Sequence, residues 1–274
     1  MKVVILCGGR GTRMEKETEY RPKPMVEIGH KPILWHIMSI YSAYGFNDFV
    51  LCLGYKGEVI KNYFLNYAAF NADCVINTKT SKLTLQKSNL PDWNVAMVDT
   101  GIDAMTGARI KRIERYIDSD DFLMTYGDAV SNVNIKKLVD FHKAHGKIGT
   151  MTGVFPTYKS RFGELSADGN TVLNFVEKPV NCAALTSGGF FVLKKEVFSY
   201  LRDDDKCVFE KDALETLVKE KELSLYRHDD FWYCMDTPRD LQFLNALWDA
   251  GKSPWMKGKA GGKSGDWKAV LDRI

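Results

Sequence analysis

No Cys-x-x-Cys pair occurs among the six cysteines, which stand at positions 7, 52, 74, 182, 207 and 234. That spacing supports neither a zinc ribbon nor a disulfide framework. Cys7, Cys52 and Cys74 lie inside apolar, strand-like runs, so the pattern reads as free, buried thiols in a reducing compartment. Long hydrophobic runs are missing as well. Only five apolar residues separate Lys2 from Gly8, too few for a signal-peptide core, and nothing approaches the roughly 18 apolar residues of a membrane span. A cytoplasmic location and no membrane partner are therefore expected. An excess of one charge is also absent: 38 Lys and Arg against 35 Asp and Glu leave +3, too weak to argue for nucleic acid. Prolines number eight in 274 residues, yet two of them bracket one lysine, in Pro22-Lys23-Pro24.

What is present is the composition of an ordinary globule, 45% hydrophobic and 27% charged, able to bury a substantial core. Residues 3–7 read as a fully buried strand. Residues 32–44 place Ile33, Ile37, Ile40 and Tyr41 at helical spacing, with proline at the start and Gly45 at the end. A second buried strand follows at 49–53 and a second amphipathic helix at 58–70. Short alternating runs occupy 83–86 and 94–98, a helix 106–116, a buried strand 121–126 and a helix 135–145 stopping at Gly146. Strand–helix alternation of this kind predicts an α/β fold, with a doubly wound, mostly parallel, Rossmann-like sheet that binds ligands beyond the carboxyl ends of its strands. From residue 148 the runs shorten and antiparallel pairing is expected, with helices at 209–219 and 238–250. Residues 1–256 are expected to form one domain, divided in emphasis at 147/148. Residues 257–274 are a basic, Gly/Lys-rich tail.

The first strand runs into CGGRGTRMEKETEYRPKPM. This loop lacks the Gly-x-x-x-x-Gly-Lys-Ser/Thr of a P-loop. Gly9 and Gly11 begin a dinucleotide fingerprint, but Met14 occupies the third glycine position. Pro22 and Pro24 are expected to force extended backbone at Arg21 and Lys23, leaving room only for a short helix between. Hydride transfer is thereby disfavoured. Bare backbone at Gly8, Gly9 and Gly11 can close amides on an anion. Arg13 can fork onto phosphate oxygens, Arg10 can add a contact, and Lys23 can serve as a held point charge. A solvated surface turn is the competing reading. Asp128 follows the apolar run FLMTYG and Asp236 follows FWYCM, so each is expected at the edge of a crevice. For Asp236, two residues before Pro238, a helix N-cap is the alternative.

GGRGTR followed by RPKPM resembles the sugar-nucleotidyltransferases. The stretches PKPMVEIGHKPILWHIM, LGYKGEVIKNYF, WNVAMVDTG, MTGARIKR, TYGD, DFHKAHGK, RFGEL, FVEKP, SGGFFVL and MDTPRD resemble the glucose-1-phosphate cytidylyltransferase branch, over roughly residues 1–256. The resemblance implies the nucleotide-diphospho-sugar transferase fold, with 1–147 mainly for nucleotide and 148–256 mainly for sugar and metal. It implies Mg2+-dependent conversion of CTP and α-D-glucose 1-phosphate to CDP-glucose and pyrophosphate. It also implies a homo-oligomer, a hexamer being one arrangement, and a role in surface-polysaccharide synthesis.

By the same resemblance Arg13, Lys23, Asp128, Lys178 and Asp236 are catalytic, with Asp128 and Asp236 holding the metal. Leu6, Gly8, Gly9, Arg10, Gly11, Thr12, Arg13 and Lys23 bind nucleotide. Thr106, Gly107 and Arg109 lie along the base, and Gly127 leaves room for the ribose. Glu177, Lys178, Gly188 and Gly189 take the sugar phosphate. Departures from the branch are Cys7 before the glycines, Arg10, His30, Ala129, a longer PTYKSRFGEL segment around Arg161, and the tail. A relative using another nucleotide or sugar, and a silent nucleotide-sugar-binding subunit, remain open readings. His142 and His145, three apart, are read as the end of an amphipathic helix rather than as metal ligands.

Overall fold

The computed structural model describes residues 1–86, 89–155, 164–176 and 185–256. Glu177, Lys178, the segment around Arg161, Cys182 and the tail at 257–274 lie outside the described residues.

Strand β1 (Val3–Leu6) leads into the short helix α1 (Glu15–Thr18) and a ribbon of β2 (Glu27–Ile28) and β3 (Lys31–Pro32). Helix α2 (Ile33–Ser42), strand β4 (Asp48–Leu53) and helices α3 (Gly57–Leu65) and α4 (Tyr67–Asn71) follow. The hairpin of β5 (Cys74–Asn77) and β6 (Lys82–Leu85) precedes β7 (Asn94–Asp99), α5 (Thr106–Arg112) and β8 (Asp121–Tyr126). Then come β9 (Ala129–Ser131), α6 (Ile135–His145), β10 (Gly149–Val154), β11 (Glu164–Asp168), β12 (Thr171–Val176), β13 (Leu185–Ser187) and β14 (Phe191–Lys194). The described chain closes with α7 (Glu215–Lys219), β15 (Leu223–His228), β16 (Trp232–Cys234) and α8 (Pro238–Asp249).

Ten strands form one mixed sheet in the order β13-β11-β12-β15-β10-β14-β8-β1-β4-β7. Pairing is parallel from β8 through β1 and β4 to β7. It is antiparallel where β14 joins β8 and β10. The first half is therefore doubly wound and the second brings the expected antiparallel strands. All four residues of β1 are buried because both faces of the sheet are covered. Val3 and Ile5 enter a core shared with α2, α6 and α8, while Val4 and Leu6 enter a second one shared with α5 and α7. Uninterrupted apolar sequence is what such a doubly covered strand requires. The chain moves from β1 to β4 and β7 on one side and to β8 on the other. The crevice beyond the carboxyl ends of β1 and β8 is thus the topological switch point.

Several expected elements differ locally. The helix expected over 58–70 breaks at Asn66, whose side-chain amide donates to Asn62 O (2.9 Å) and so competes with the backbone ladder. The one expected over 106–116 tightens into a 3-10 turn, Glu114–Tyr116, after Ile113. The one expected over 209–219 begins as a π-helix, Phe209–Leu214. Cys74 is exposed rather than buried, because β5 pairs only with β6 and every residue of that ribbon faces solvent. The thiols of Cys7, Cys52, Cys207 and Cys234 are buried and free. Strand β15 was not anticipated; it pairs in parallel with β10. Among the described residues no helix is long and apolar enough to cross a membrane.

Helix α6 matches its expected bounds. Asn134 caps its start by accepting Lys137 N (3.0 Å), and Gly146 ends it in the left-handed region at φ 69°. His142 Nδ1 and His145 Nε2 converge on Thr150 Oγ1 at 2.8 and 2.7 Å, tying α6 to β10. Burial, then His142 and nearby lysines, pull the pKa of His145 from the ordinary 6.5 down to about 4. His145 is thus neutral in the fold, whereas an unfolded chain takes up a proton below about 6.5. Its contribution to stability is complete above that pH and is lost as pH falls from about 6.5 toward about 4. Urea unfolding between pH 7.5 and 4.5 should show stability falling on acidification, with a shallower slope in His145→Gln. An equal slope in the variant would discard this assignment.

Candidate functional site

A cavity of about 370 Å³ opens at the switch point, between the ends of β1 and β8. Of the residues singled out in the sequence, Leu6, Gly8, Gly9, Gly11, Thr12 and Arg13 line its first wall. Lys23, Gly127, Asp128 and Asp236 line its floor, and Thr106 and Arg109 its far wall. Arg10, Gly107, Gly188 and Gly189 do not line it, and Glu177 and Lys178 lie outside the described residues.

The glycine loop is shaped by what its carbonyls and missing side chains do. Gly8 O accepts from Tyr55 N (3.2 Å) and from Arg109 Nη2 (3.1 Å), which draws that carbonyl away from the opening. The amides of Gly8, Gly9, Arg10 and Gly11 find no acceptor among the described residues. They form a set of free donors at the cavity mouth, the arrangement that suits an anion. A Cβ on Gly8 would stand 2.1 Å from Arg109 Nη1, and Gly11 has φ +63° with Thr18 Cγ2 2.8 Å from the same position. Both glycines are demanded by space. Arg10 turns outward onto Asp103 (2.8 Å) and is engaged away from the cavity.

The floor is a charge cluster. Lys23 Nζ donates to Asp128 Oδ2 at 2.7 Å and to Asp236 Oδ1 at 2.5 Å, and Arg13 pairs with the other oxygen of Asp236. Lys23 is not extended as expected: Lys23–Met25 is a 3-10 turn, with Pro22 extended at its cap and Pro24 in its first turn. Proline fits that turn because no backbone donor is needed there. Burial pulls the Lys23 pKa down, but the carboxylates of Asp128 and Asp236 outweigh it, and the ammonium is held charged well above the usual lysine range. Burial, followed by Asp128, pushes the adjacent Cys234 thiol well above its ordinary value.

Two aspartates distant in sequence meet because β9 and β16 pair antiparallel, Ala129 opposite Cys234. Asp128 precedes one strand and Asp236 follows the other, and Met235 N donates to Asp128 O (2.9 Å). Asp236 is not the helix cap. Thr237 is, in a reciprocal box with Asp240, and Asp240 Oδ2 also accepts Asp236 N (2.9 Å). The sequence reading overlooked this role of Asp240, although Thr-Pro-Arg-Asp carries the box spacing.

On the far wall, Arg109 is 5% exposed. Its guanidinium donates to Leu53 O, Thr100 Oγ1, Gly101 O, Gly8 O and Ile102 O. The donors expected to meet a base or a phosphate are spent on protein oxygens, so Arg109 knits three loops together at the cavity wall. Thr106 Oγ1 donates to Glu210 Oε2 (2.6 Å) and accepts from Phe209 N (2.9 Å), while Tyr126 OH donates to Glu210 Oε1 (2.6 Å). Glu210 therefore orients two cavity residues from behind. Nothing in its local sequence marks it, since the π-helix that presents it is a tertiary outcome. Gly107 permits close packing rather than ligand approach: a Cβ there would meet Cys207 Sγ at 2.7 Å and Phe209 N at 2.9 Å. Gly127, which lines the floor, also packs closely on the backbone, its Cβ position being 2.7 Å from Leu6 O. Gly188 packs on Val154 and accepts Trp232 Nε1 on its carbonyl (2.7 Å), and Gly189 has φ +73°.

The floor fits a divalent cation. Asp128 and Asp236 direct oxygens at one point where Lys23 already places a positive charge, and they hold these atoms within 4.8 Å of each other. Paired carboxylates with solvent access are the donor set of a hard cation.

The family model for nucleotidyl transferases matches residues 2–252. The glucose-1-phosphate cytidylyltransferase of Salmonella typhi is 48% identical over 93% of this chain and 98% of its own length. The probable glucose-1-phosphate cytidylyltransferase of Bacillus subtilis is 42% identical over 93% and 99%. Among solved structures, HddC from Yersinia pseudotuberculosis superposes with a TM-score of 0.72 at 24% identity, covering 90% of this chain and 99% of that one. A UDP-glucose pyrophosphorylase complexed with UDP-glucose gives 0.71 at 18%, covering 91% and 98%. These two structures establish a shared fold.

Removing the ammonium should leave the floor carboxylates short of a counter-charge. Lys23→Met is expected to lower stability at neutral pH by about 3 kcal/mol, read by urea unfolding. Adding Asp128→Asn should recover part of it; a double variant less stable than Lys23→Met would contradict the electrostatic account.

Proposed function

The chain belongs to the nucleotidyl transferase family, and on that premise we propose that it converts CTP and α-D-glucose 1-phosphate to CDP-glucose and pyrophosphate. The observation that carries the reading is the meeting of Lys23, Asp128 and Asp236 beneath a glycine loop with free amides. The substrates are those named for the relatives at 48% and 42% identity.

An oxygen of the sugar phosphate attacks the α-phosphorus of the nucleotide, the α–β bridging bond breaks, and pyrophosphate leaves on the opposite side. Both reactants are anions, so the protein's task is alignment and neutralisation; no protein nucleophile is required. Amides of Gly8, Gly9 and Gly11, with Thr12 beside them, receive the triphosphate, and Arg13 and Lys23 offset its charge and that of the departing pyrophosphate. Lys23 must then leave its carboxylates for the phosphates. Asp128 and Asp236 would hold Mg2+, which when bound would supply divalent positive charge against the phosphates. Leu6 and Gly127 border the ribose, and Thr106, oriented by Glu210, faces the base. Arg109 acts as a positioning residue. Glu177 and Lys178 remain proposed for the sugar phosphate, and the division at 147/148 and assembly with further copies belong to the same proposal.

Pyrophosphate release, followed with Mg2+, glucose 1-phosphate and each of CTP, UTP, dTTP, GTP and ATP, tests the reaction. Release with CTP alone is expected; preference for another nucleotide replaces the reading by that relative's, and binding without turnover replaces it by a silent subunit. Asp128→Asn should fold normally and lose about a thousandfold or more of the rate. A variant near the normal rate would refute the assignment of the metal pair.

A further inference from the structure

The cation position on the cavity floor has a third neighbour that phosphoryl chemistry does not call for. Cys234 Sγ and one oxygen each of Asp128 and Asp236 all lie within 4.8 Å of one another. The residue is 6% exposed, and its thiol has no hydrogen-bond partner among the described residues. Its place is set by the ribbon, in which Cys234 lies opposite Ala129, next to Asp128. Lys23 Nζ, 2.7 and 2.5 Å from the two carboxylates, marks where a positive charge is stable. A core-filling cysteine is the plain alternative, since a buried thiol behaves as a small apolar group. That role does not account for a thiol that borders two carboxylates and an ammonium.

We propose that Cys234 makes the floor a three-donor site, two oxygens and one sulfur, for a borderline or soft divalent cation of the Zn2+, Co2+ or Cd2+ class. The inference rests on reading Asp128 and Asp236 as a cation site. Metal–oxygen bonds of about 2.0–2.2 Å and a metal–sulfur bond of about 2.3 Å set donors of one ion roughly 3–4.5 Å apart, so small side-chain movements close the site. Mg2+ is hard and leaves the protonated thiol a bystander, whereas a thiophilic ion takes the sulfur and releases its proton to solvent. The ammonium of Lys23 is displaced from the carboxylates when such an ion enters. The consequence is a site that hard and soft ions share on unequal terms, with a soft ion able to occupy it before any nucleotide arrives.

The test uses the full chain without nucleotide, titrated with Co2+ and watched for sulfur-to-cobalt charge transfer in the near ultraviolet. One equivalent should produce the band. Cys234→Ser and Cys234→Ala should each abolish it and weaken Cd2+ binding about tenfold or more, with Mg2+ affinity changed by less than about twofold. Cys7→Ser should retain the band. Its absence in the unmodified chain, or its persistence in both Cys234 variants, overturns the proposal. Mg2+-dependent turnover of CTP separates the two readings: a missing band with normal turnover removes only this inference, and a band without turnover removes only the proposed reaction.

Discussion

Two ionised carboxylates side by side in a half-buried cavity repel each other unless a cation stands between them. With oxygens of Asp128 and Asp236 within 4.8 Å of each other, two unit charges repel by about 3.5 kcal/mol or more at an effective dielectric of 20. The Lys23 ammonium removes that cost and Arg13 adds a second counter-charge. Much else in the site serves this one arrangement. The β9–β16 ribbon delivers the aspartates, the Thr237–Asp240 box holds the backbone of Asp236, and the proline-flanked turn delivers the lysine.

Arg109 supplies a complementary device. A buried guanidinium that binds only neutral oxygens retains its charge locally, and it turns the carbonyls of Gly8, Leu53 and Gly101 toward itself. Turning carbonyls inward leaves amides facing outward. The glycine loop is thus electropositive at the cavity for two linked reasons, free donors in front and a fixed cation behind. The wall residues Thr106 and Tyr126 are both aligned by Glu210, so one carboxylate orients two hydroxyls at the cavity wall.

Departures from the branch's usual sequence acquire local meanings. His30 adopts φ 66°, next to Gly29 at φ 56°. Histidine there holds a left-handed conformation that glycine takes without strain, which gives a physical sense to the glycine expected from the resemblance. Ala129 is buried in the ribbon opposite Cys234, where its methyl packs without blocking the floor. Cys7 is a buried thiol whose pKa is raised chiefly by burial, consistent with a core residue beneath the loop.

The parallel half of the sheet was legible because doubly covered strands must be continuously apolar, and β1, β4 and β8 read that way. The loop of bare amides beside two cations was legible too, since three glycines, Arg13 and Lys23 stand close together at a strand exit. Helix ends at Asn66 and Ile113, the exposed β5–β6 ribbon and the π-helix were not, because each depends on a competing hydrogen bond or on a missing neighbour. The sequence alone determined which groups are available: two aspartates, one held lysine, one forked arginine and bare amides. Only the tertiary structure decided that Lys23 bridges the aspartates, that Arg109 faces protein rather than solvent, that Glu210 stands behind Thr106 and Tyr126, and that Cys234 lies beside the aspartates. The physical reason is that strand pairing and packing act between residues a hundred or so positions apart, where no local pattern carries the information.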